Sequence, residues 1–157
     1  MKDQKGFSLV ELLVVVIIIA IVAAIAIPNL LASRRAANEA SAISTLRTYH
    51  SAEATYQATT GGSSNYANGS QLTGLVDQNL AADAATKSGY AFTVTAATVN
   101  YCATATPSSA STGRRSFAVS NDGVIYAGPI DTAGTGAAAL ACSGGAVTGA
   151  GGANSPI

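Results

Sequence analysis

One acidic residue, Glu11, lies within an otherwise apolar stretch near the start of the chain. Between Phe7 and Ile27 the only polar side chains are those of Ser8 and Glu11. An ionised carboxylate inside a bilayer costs a few kcal/mol and usually marks a function or a partner. We therefore expect Glu11 to require a nearby cation. The alternative is a carboxylate that reaches the lipid headgroups from its place near the helix end.

The other residues that could carry chemistry do not form a catalytic pattern. His50 is the only histidine, and no cysteine or serine with a third orienting residue accompanies it. No glycine-rich phosphate loop follows a strand and opens a helix. Electron transport through His50, Tyr49 and Tyr56 is disfavoured, because 6% aromatic residues are too sparse for a continuous stack. The sequence therefore predicts no enzyme, no catalytic residue and no cofactor.

Two cysteines, Cys102 and Cys142, either pair or remain as thiols. An even count favours pairing if this part of the chain lies outside the cytoplasm, and the closed loop would add roughly 4 kcal/mol to stability. Two distant cysteines and one histidine do not make a zinc site. Asp122 and Asp131 alone make calcium a minority alternative, and we expect Asp122 to shape a turn instead.

The bulk composition narrows the class of protein. The chain has 157 residues, a formal net charge of +0 and 10% charged residues, so it lacks the basic field that generic binding of nucleic acid requires. Its length fits one domain plus an appendage. Gly, Ala, Ser and Thr dominate beyond residue 60, which indicates short strands and irregular connections on an exported chain.

The apolar stretch is long enough to cross a membrane. As a helix, residues 7–27 span about 30 Å, which matches the hydrocarbon thickness of a bilayer. A secretory signal peptide has a shorter apolar core followed by a small-residue cleavage site. Lys2, Asp3 and Lys5 give the preceding segment a weak positive bias, so that segment should remain cytoplasmic.

The segment KGFSLVELLVVVIIIAIVAAIAIP resembles the N-terminus of type IV pilins and of the related pseudopilins. It has a short polar leader that ends at Gly6, then Phe7, an acid at Glu11, an unbroken apolar run and Pro28. The resemblance is close up to about residue 30 and looser up to about residue 60. It implies that a prepilin peptidase cuts between Gly6 and Phe7, and that the new amino group on Phe7 is methylated.

The resemblance also implies a cation for Glu11, namely the amino group of Phe7 on a neighbouring subunit. Loss of either partner would leave a buried charge that costs on the order of 3–5 kcal/mol. The expected partners are further copies of the chain in a helical homopolymer, prepilin peptidase, the inner-membrane pilus assembly machinery, and membrane lipid before assembly. No nucleic acid is expected. The expected location is the inner membrane and then a cell-surface or periplasmic filament.

The helix is predicted to continue past Pro28 to about residue 59, because no glycine or further proline occurs before Gly61. Pro28 removes one backbone donor and should kink or loosen the helix. Arg35 and Glu39 could pair at i, i+4. Four residues then recur on one helical face: Ile43, Leu46, Tyr49 and Tyr56. We expect this stripe to lie on a sheet.

The rest of the chain is predicted to form three or four short antiparallel strands. The segments GYAFTVTAATV and RRSFAVSNDGVIYAG read as strands, and Asp122-Gly123 in the second predicts a hairpin. Five side chains are expected to point inward: Phe92, Val94, Phe117, Val119 and Ile125. A short helix is predicted over residues 72–85. The tail, residues 132–157, is expected to be poorly ordered, above all beyond Gly144.

The predicted fold class is α+β, with a long N-terminal helix packed on a small antiparallel sheet. The expected layout is a leader (residues 1–6), a transmembrane and filament-core helix (7–28), the second half of the helix (29–60) and a globular head (61–157). The expected function is that of a structural subunit of a type IV pilus-like extracellular filament. A pseudopilin of a type II secretion system is the alternative, and a membrane-anchored enzyme or binding module is a more distant one.

Overall fold

The computed structural model describes residues 6–62, 65–129, 140–143, 146–148 and 155–157. The chain forms two compact units, Met1–Arg34 and Arg35–Ile157, and helix α1, Leu9–Thr59, contributes to both. The helix therefore ends close to the predicted residue 59. Gly62 follows with a φ of 60°, a left-handed conformation that commonly ends helices.

The first unit exposes the apolar side chains of α1. Phe7 is 81% exposed, and Leu31, the least exposed of the large apolar residues in this unit, is still 37% exposed. By length and composition this helix could cross a membrane. Helical structure continues through Pro28. The kink predicted at Pro28 stays a prediction.

The globular unit, residues 35–157, packs the second half of α1 on an antiparallel sheet. Within the described residues this sheet has six strands, which in spatial order are β1 Ala85–Lys87, β2 Tyr90–Ala96, β3 Tyr101–Pro107, β4 Arg115–Ser120, β5 Ile125–Pro129 and β8 Ser155–Pro156. A separate hairpin is formed by β6 Ala141–Ser143 and β7 Ala146–Thr148. The α+β fold class is confirmed, but the predicted three or four strands are too few.

The core lies between α1 and one face of the sheet. All five side chains predicted to point inward are buried: Phe92, Val94, Phe117, Val119 and Ile125. From the helical stripe, Leu46 and Tyr49 are fully buried, and the half-buried Ile43 and Tyr56 pack against the same core. The Tyr49 hydroxyl donates a hydrogen bond to the carbonyl of Leu80 at 2.7 Å, so the ring is buried without an orphaned polar atom.

Strand β3 is absent from the sequence-based prediction, although it lies near the middle of the sheet between β2 and β4. Its inward residues include Ala103 and Ala105, which alternate with threonines and show little hydrophobic contrast. The β6–β7 hairpin contacts β3 and β4. Since neighbouring strand residues face opposite sides, Cys102 faces this hairpin while Ala103 faces the helix. Because both faces of the strand are covered, its alanines are buried although they are small.

The helix predicted over residues 72–85 is wrong. A 3₁₀ turn at Gly69–Leu72 is followed by a series of turns, and β1 begins at Ala85. Gly74 has a φ of 90°, which a helix does not accommodate. The apolar residues that suggested a helix still serve the core, where Leu72 and Leu80 are buried. The turns between them bring both side chains to the same side.

The described parts of the tail form short strands, and the expectation that the tail is poorly ordered stays a prediction. Strand β8 pairs with β5, and the tail also contains β6 and β7. The tail residues 132–139, 144–145 and 149–154, together with Asp131, lie outside the described residues. Backbone pairing and a disulfide, not large apolar side chains, connect these short strands to the rest of the globular unit.

Glu39 does not take the partner suggested by helical spacing. Its Oε2 accepts hydrogen bonds from Arg115 on β4, with Nη2 at 2.8 Å and Nε at 2.9 Å. Its Oε1 accepts the backbone N–H of Arg114 at 3.0 Å. The buried Nε of Arg35 has no hydrogen-bond partner among the described residues. Glu39 therefore links the helix to the sheet instead of pairing along the helix.

Candidate assembly site

The residues predicted to act in processing and assembly lie at the start of α1. Gly6, Phe7 and Ser8 are exposed and non-helical, and the helix begins at Leu9. The carbonyl of Ser8 accepts the N–H of Leu12 at 3.2 Å, which makes Ser8 the N-cap residue. Glu11 is exposed one turn into the helix. Proximity of these residues follows directly from their spacing in the chain.

Glu11 already has a partner within its own chain. Its Oε2 accepts the backbone N–H of Ser8 at 3.1 Å. Ser8 and Glu11 form the S-x-x-E pattern of a capping box, and this contact is one of the two hydrogen bonds of that motif. This motif was not predicted from the sequence, although residues 8–11, SLVE, contain it. A cap is therefore a second physical explanation for the lone acid.

A disulfide joins Cys102 on β3 to Cys142 on β6, with 5.8 Å between the Cα atoms and a sequence separation of 40. It attaches the β6–β7 hairpin to the outer face of the sheet. Ser116 adds a second attachment, because its hydroxyl accepts the N–H of Leu140 at 3.2 Å and donates to the carbonyl of Gly128 at 3.2 Å. Strands β4 and β5 lie within the loop that the disulfide closes.

Asp122 forms the turn between β4 and β5. Its Oδ1 accepts the Ser120 hydroxyl at 2.9 Å and the Val124 N–H at 3.0 Å, and its Oδ2 accepts the Tyr126 hydroxyl at 2.9 Å. Burial alone would raise the pKa of Asp122, but these hydrogen bonds hold it below its ordinary value. Gly123 completes the turn with a φ of 71°. Both carboxylate oxygens are thus engaged by the turn itself.

His50 belongs to a contact between the helix and the sheet and is not part of a catalytic arrangement. Its Nδ1 hydrogen-bonds with the Tyr101 hydroxyl at 2.5 Å. The backbone of Gly123 approaches the other side of the ring so closely that an added Cβ would lie 3.0 Å from Nε2. Among the described residues, no three His, Cys, Asp or Glu side chains lie close enough to share a metal ion.

A buried acid, Glu53, escaped the sequence analysis. Its side chain is fully buried, and its Oε2 accepts the N–H of Ala67 at 2.9 Å. Its Oε1 is buried without a hydrogen-bond partner in the described part of the chain. Burial raises the pKa of Glu53 to about 7, although the bond from Ala67 opposes the shift. A signal was present, because Glu53 continues the helical stripe between Tyr49 and Tyr56.

Comparison with known proteins connects the start of the chain to a processing motif. Residues 1–27 match the family model described as the prokaryotic N-terminal methylation motif. The type IV wide pilus major component PilA4 of Thermus thermophilus is 59% identical over 39 residues. That stretch covers 25% of this chain and 30% of the relative. No solved structure matches the chain significantly.

These comparisons agree with the architecture of the chain. Helix α1 is long and apolar at its N-terminal end, and its later part packs on an antiparallel sheet. The methylation motif lies on that helix and on the residues just before it. The start of the chain is therefore similar to prepilin-type N-termini, and a long apolar helix packed on an antiparallel sheet is consistent with the α+β fold of type IV pilins, a family of structural subunits.

Proposed function

We propose that this chain is a structural subunit of a type IV pilus-like extracellular filament. It enters the inner membrane as a single-pass precursor, is cleaved between Gly6 and Phe7 by a prepilin peptidase, and then polymerises through α1. The observation that carries the proposal is a lone carboxylate, Glu11, four residues after the expected new N-terminus on an exposed apolar helix.

The exposed apolar surface of α1 supports a role in lipid and then in a polymer. Every Leu, Ile, Val and Phe side chain in residues 7–34 is at least 37% exposed. Soluble monomers rarely expose a contiguous apolar patch of this extent. Lipid would cover the surface before assembly, and the helices of neighbouring subunits would cover it afterwards. The transfer of α1 from lipid into the filament buries no additional apolar surface from water, because packing between helices replaces contact with lipid.

Accessibility supports processing at Gly6. The bond between Gly6 and Phe7 precedes the helix, so a peptidase would not have to unwind α1 to reach it. A Cβ placed on Gly6 would meet no atom within 4 Å, which indicates open space around this residue. Cleavage at this bond would leave Ser8 and Glu11 on the mature chain, so the cap at the start of α1 would persist.

The cap and the proposed intersubunit pair are compatible. Ser8 engages one oxygen of Glu11, and a carboxylate has acceptor sites to spare on the other oxygen. The cap would hold the carboxylate at the start of the helix, where the amino group of a neighbouring Phe7 could reach it. Methylation of that amino group would retain its positive charge, so the pair would survive the modification.

Mass spectrometry of the protein from its native cell tests this proposal. We expect a first residue of Phe7 that carries one added methyl group, in filaments sheared from the cell surface. An intact Met1, or a first residue other than Phe7, would contradict the processing step. A processed chain that is confined to the cell envelope and absent from surface filaments would contradict the pilus.

The alternative function is that of a type II secretion pseudopilin, which would form a short periplasmic filament. The sequence feature that favours a pseudopilin is a possible calcium site formed by Asp122 and Asp131. Both oxygens of Asp122 are engaged in the β4–β5 turn, so this acid does not favour calcium. We therefore propose the surface filament first. A calcium-dependent rise in the melting temperature of the full chain would favour the pseudopilin instead.

A further inference from the structure

An open cavity of about 400 Å³ lies beside the end of α1. Besides two alanines it is lined by six polar or aromatic residues: Tyr56, Asn65, Tyr66, Asn68, Gln71 and Thr98. Its volume falls within the range of roughly 300–1,000 Å³ that is usual for small-molecule sites. None of the described residues that line it is charged. This composition disfavours a phosphate, a carboxylate or an ammonium group as its ligand.

Two amide side chains in the cavity are held in one orientation by the backbone. The Oδ1 of Asn68 accepts the N–H of Ala96 at 3.1 Å, and the Oε1 of Gln71 accepts the N–H of Asn68 at 2.9 Å. Because both carbonyl oxygens are engaged, the two NH₂ groups are the remaining polar ends. Neither NH₂ group donates a hydrogen bond to another described residue. The two NH₂ groups are therefore preorganised hydrogen-bond donors.

Two tyrosines supply a rigid aromatic wall. Tyr56 and Tyr66 are half-buried and pack against the core, and the Tyr66 ring centroid lies 5.0 Å from that of Tyr101. A ring supported by the core loses little conformational freedom when it contacts a ligand. Both tyrosines line the cavity.

We propose that this cavity binds a neutral sugar ring. A sugar presents hydroxyl oxygens that accept hydrogen bonds from the NH₂ groups of Asn68 and Gln71, and it presents a face of C–H groups that packs on Tyr56 or Tyr66. The uncharged lining matches an uncharged ligand. The site is formed within residues 56–98 of the globular unit, so its binding does not depend on filament formation.

Saturation-transfer NMR on the full chain tests the proposal. The chain is kept in dodecyl dimethylamine oxide micelles, which carry no sugar headgroup, and is offered the methyl glycosides of glucose, galactose, mannose and N-acetylglucosamine. We expect transfer to the C–H protons of at least one of these sugars. Absence of transfer to all four would overturn the proposal.

A pair of isosteric variants locates the binding. Gln71→Glu keeps the oxygen that accepts the Asn68 N–H but replaces the NH₂ donor, so affinity should fall roughly tenfold. Gln78→Glu makes the same charge change at an exposed residue outside the cavity and should leave affinity unchanged. Equal affinities of the two variants would refute this cavity as the site.

A second variant covers the case in which Gln71→Glu does not fold. Tyr66→Phe keeps the ring and removes only the hydroxyl, so affinity should fall roughly threefold. Unchanged affinity in a folded Tyr66→Phe chain would count against the proposed geometry. If Gln71→Glu lowers filament yield, Gln78→Glu does not, and no sugar binds, the cavity is a contact between two copies of the chain and the sugar proposal fails.

Discussion

Glu11 caps the helix on which it lies, because its Oε2 accepts the N–H of Ser8 at 3.1 Å. The cap and the proposed pairing with a neighbouring amino group make different demands on this side chain. A cap needs only an acceptor oxygen, which glutamine also provides. The pair needs a negative charge, which glutamine lacks. Substitution at this residue can therefore separate the two roles.

We predict that Glu11→Gln and Glu11→Ala both insert into the membrane at the wild-type level and are both depleted from filaments by at least about tenfold. The physical reason is the uncompensated charge of the partner amine, which costs on the order of 3–5 kcal/mol when buried. Immunoblots of membrane and sheared-filament fractions measure the distribution. Wild-type incorporation of Glu11→Gln, with loss of Glu11→Ala alone, would assign the acid to the cap.

We predict that the stability of the globular unit falls as the pH rises from about 4.5 to about 7 through deprotonation of Glu53. The folded state keeps the proton up to a pKa of about 7, whereas the unfolded chain releases it near the ordinary value of 4.5. Between these two values the folded state binds more protons, so the free energy of unfolding decreases with pH by up to about 3 kcal/mol. Denaturant titrations of the full chain at several pH values measure this decrease.

Glu53→Gln is the control for that measurement, because it keeps the size of the side chain and removes its titration. Its free energy of unfolding should change less between pH 4.5 and 7 than that of the wild type. Identical pH profiles would mean that folding does not raise the pKa of Glu53.

We predict that Glu39→Ala and Arg115→Ala each destabilise the globular unit by about 1–2 kcal/mol, since each breaks a two-pronged ion pair between α1 and β4. The Glu39 side chain is 12% exposed and the Arg115 side chain 51%, so solvent screens the pair only in part. Arg114→Ala is the control, because that residue binds Glu39 through its backbone. A double-mutant cycle by thermal unfolding should give a coupling of about 1 kcal/mol. A coupling near zero would show that the pair contributes little to stability.

We predict that replacement of both Cys102 and Cys142 by serine lowers the free energy of unfolding by about 2–5 kcal/mol. The bond closes a loop with a sequence separation of 40 and attaches the β6–β7 hairpin to the sheet. The wild-type chain should lose a similar amount of stability in dithiothreitol, whereas the double variant should not respond to the reductant. Equal denaturation midpoints for all samples would contradict a stabilising bond.

Periodicity predicted those elements whose large apolar side chains repeat with the period of their own secondary structure. This holds for the second half of α1, for β2 with Phe92 and Val94, and for the β4–β5 hairpin with Phe117 and Ile125. Strand β3 lacks this contrast, because from Ala103 to Thr106 it alternates only alanine with threonine. The segment after Leu72 was wrongly predicted to be helical, because its leucines recur at helical spacing. The left-handed backbone of Gly74 is not compatible with a helix.

Features that depend only on residues close together in the sequence could be predicted without the tertiary structure. The apolar run, Glu11, the Gly6-Phe7 bond and the Asp122-Gly123 turn each depend on residues that are neighbours in the chain. Tertiary packing alone reveals the other features. It buries Glu53 beside Ala67, brings Arg115 to Glu39, and holds the Asn68 amide of the cavity against the end of β2. Burial and charge pairing depend on distances in space, and no spacing along the chain encodes them directly.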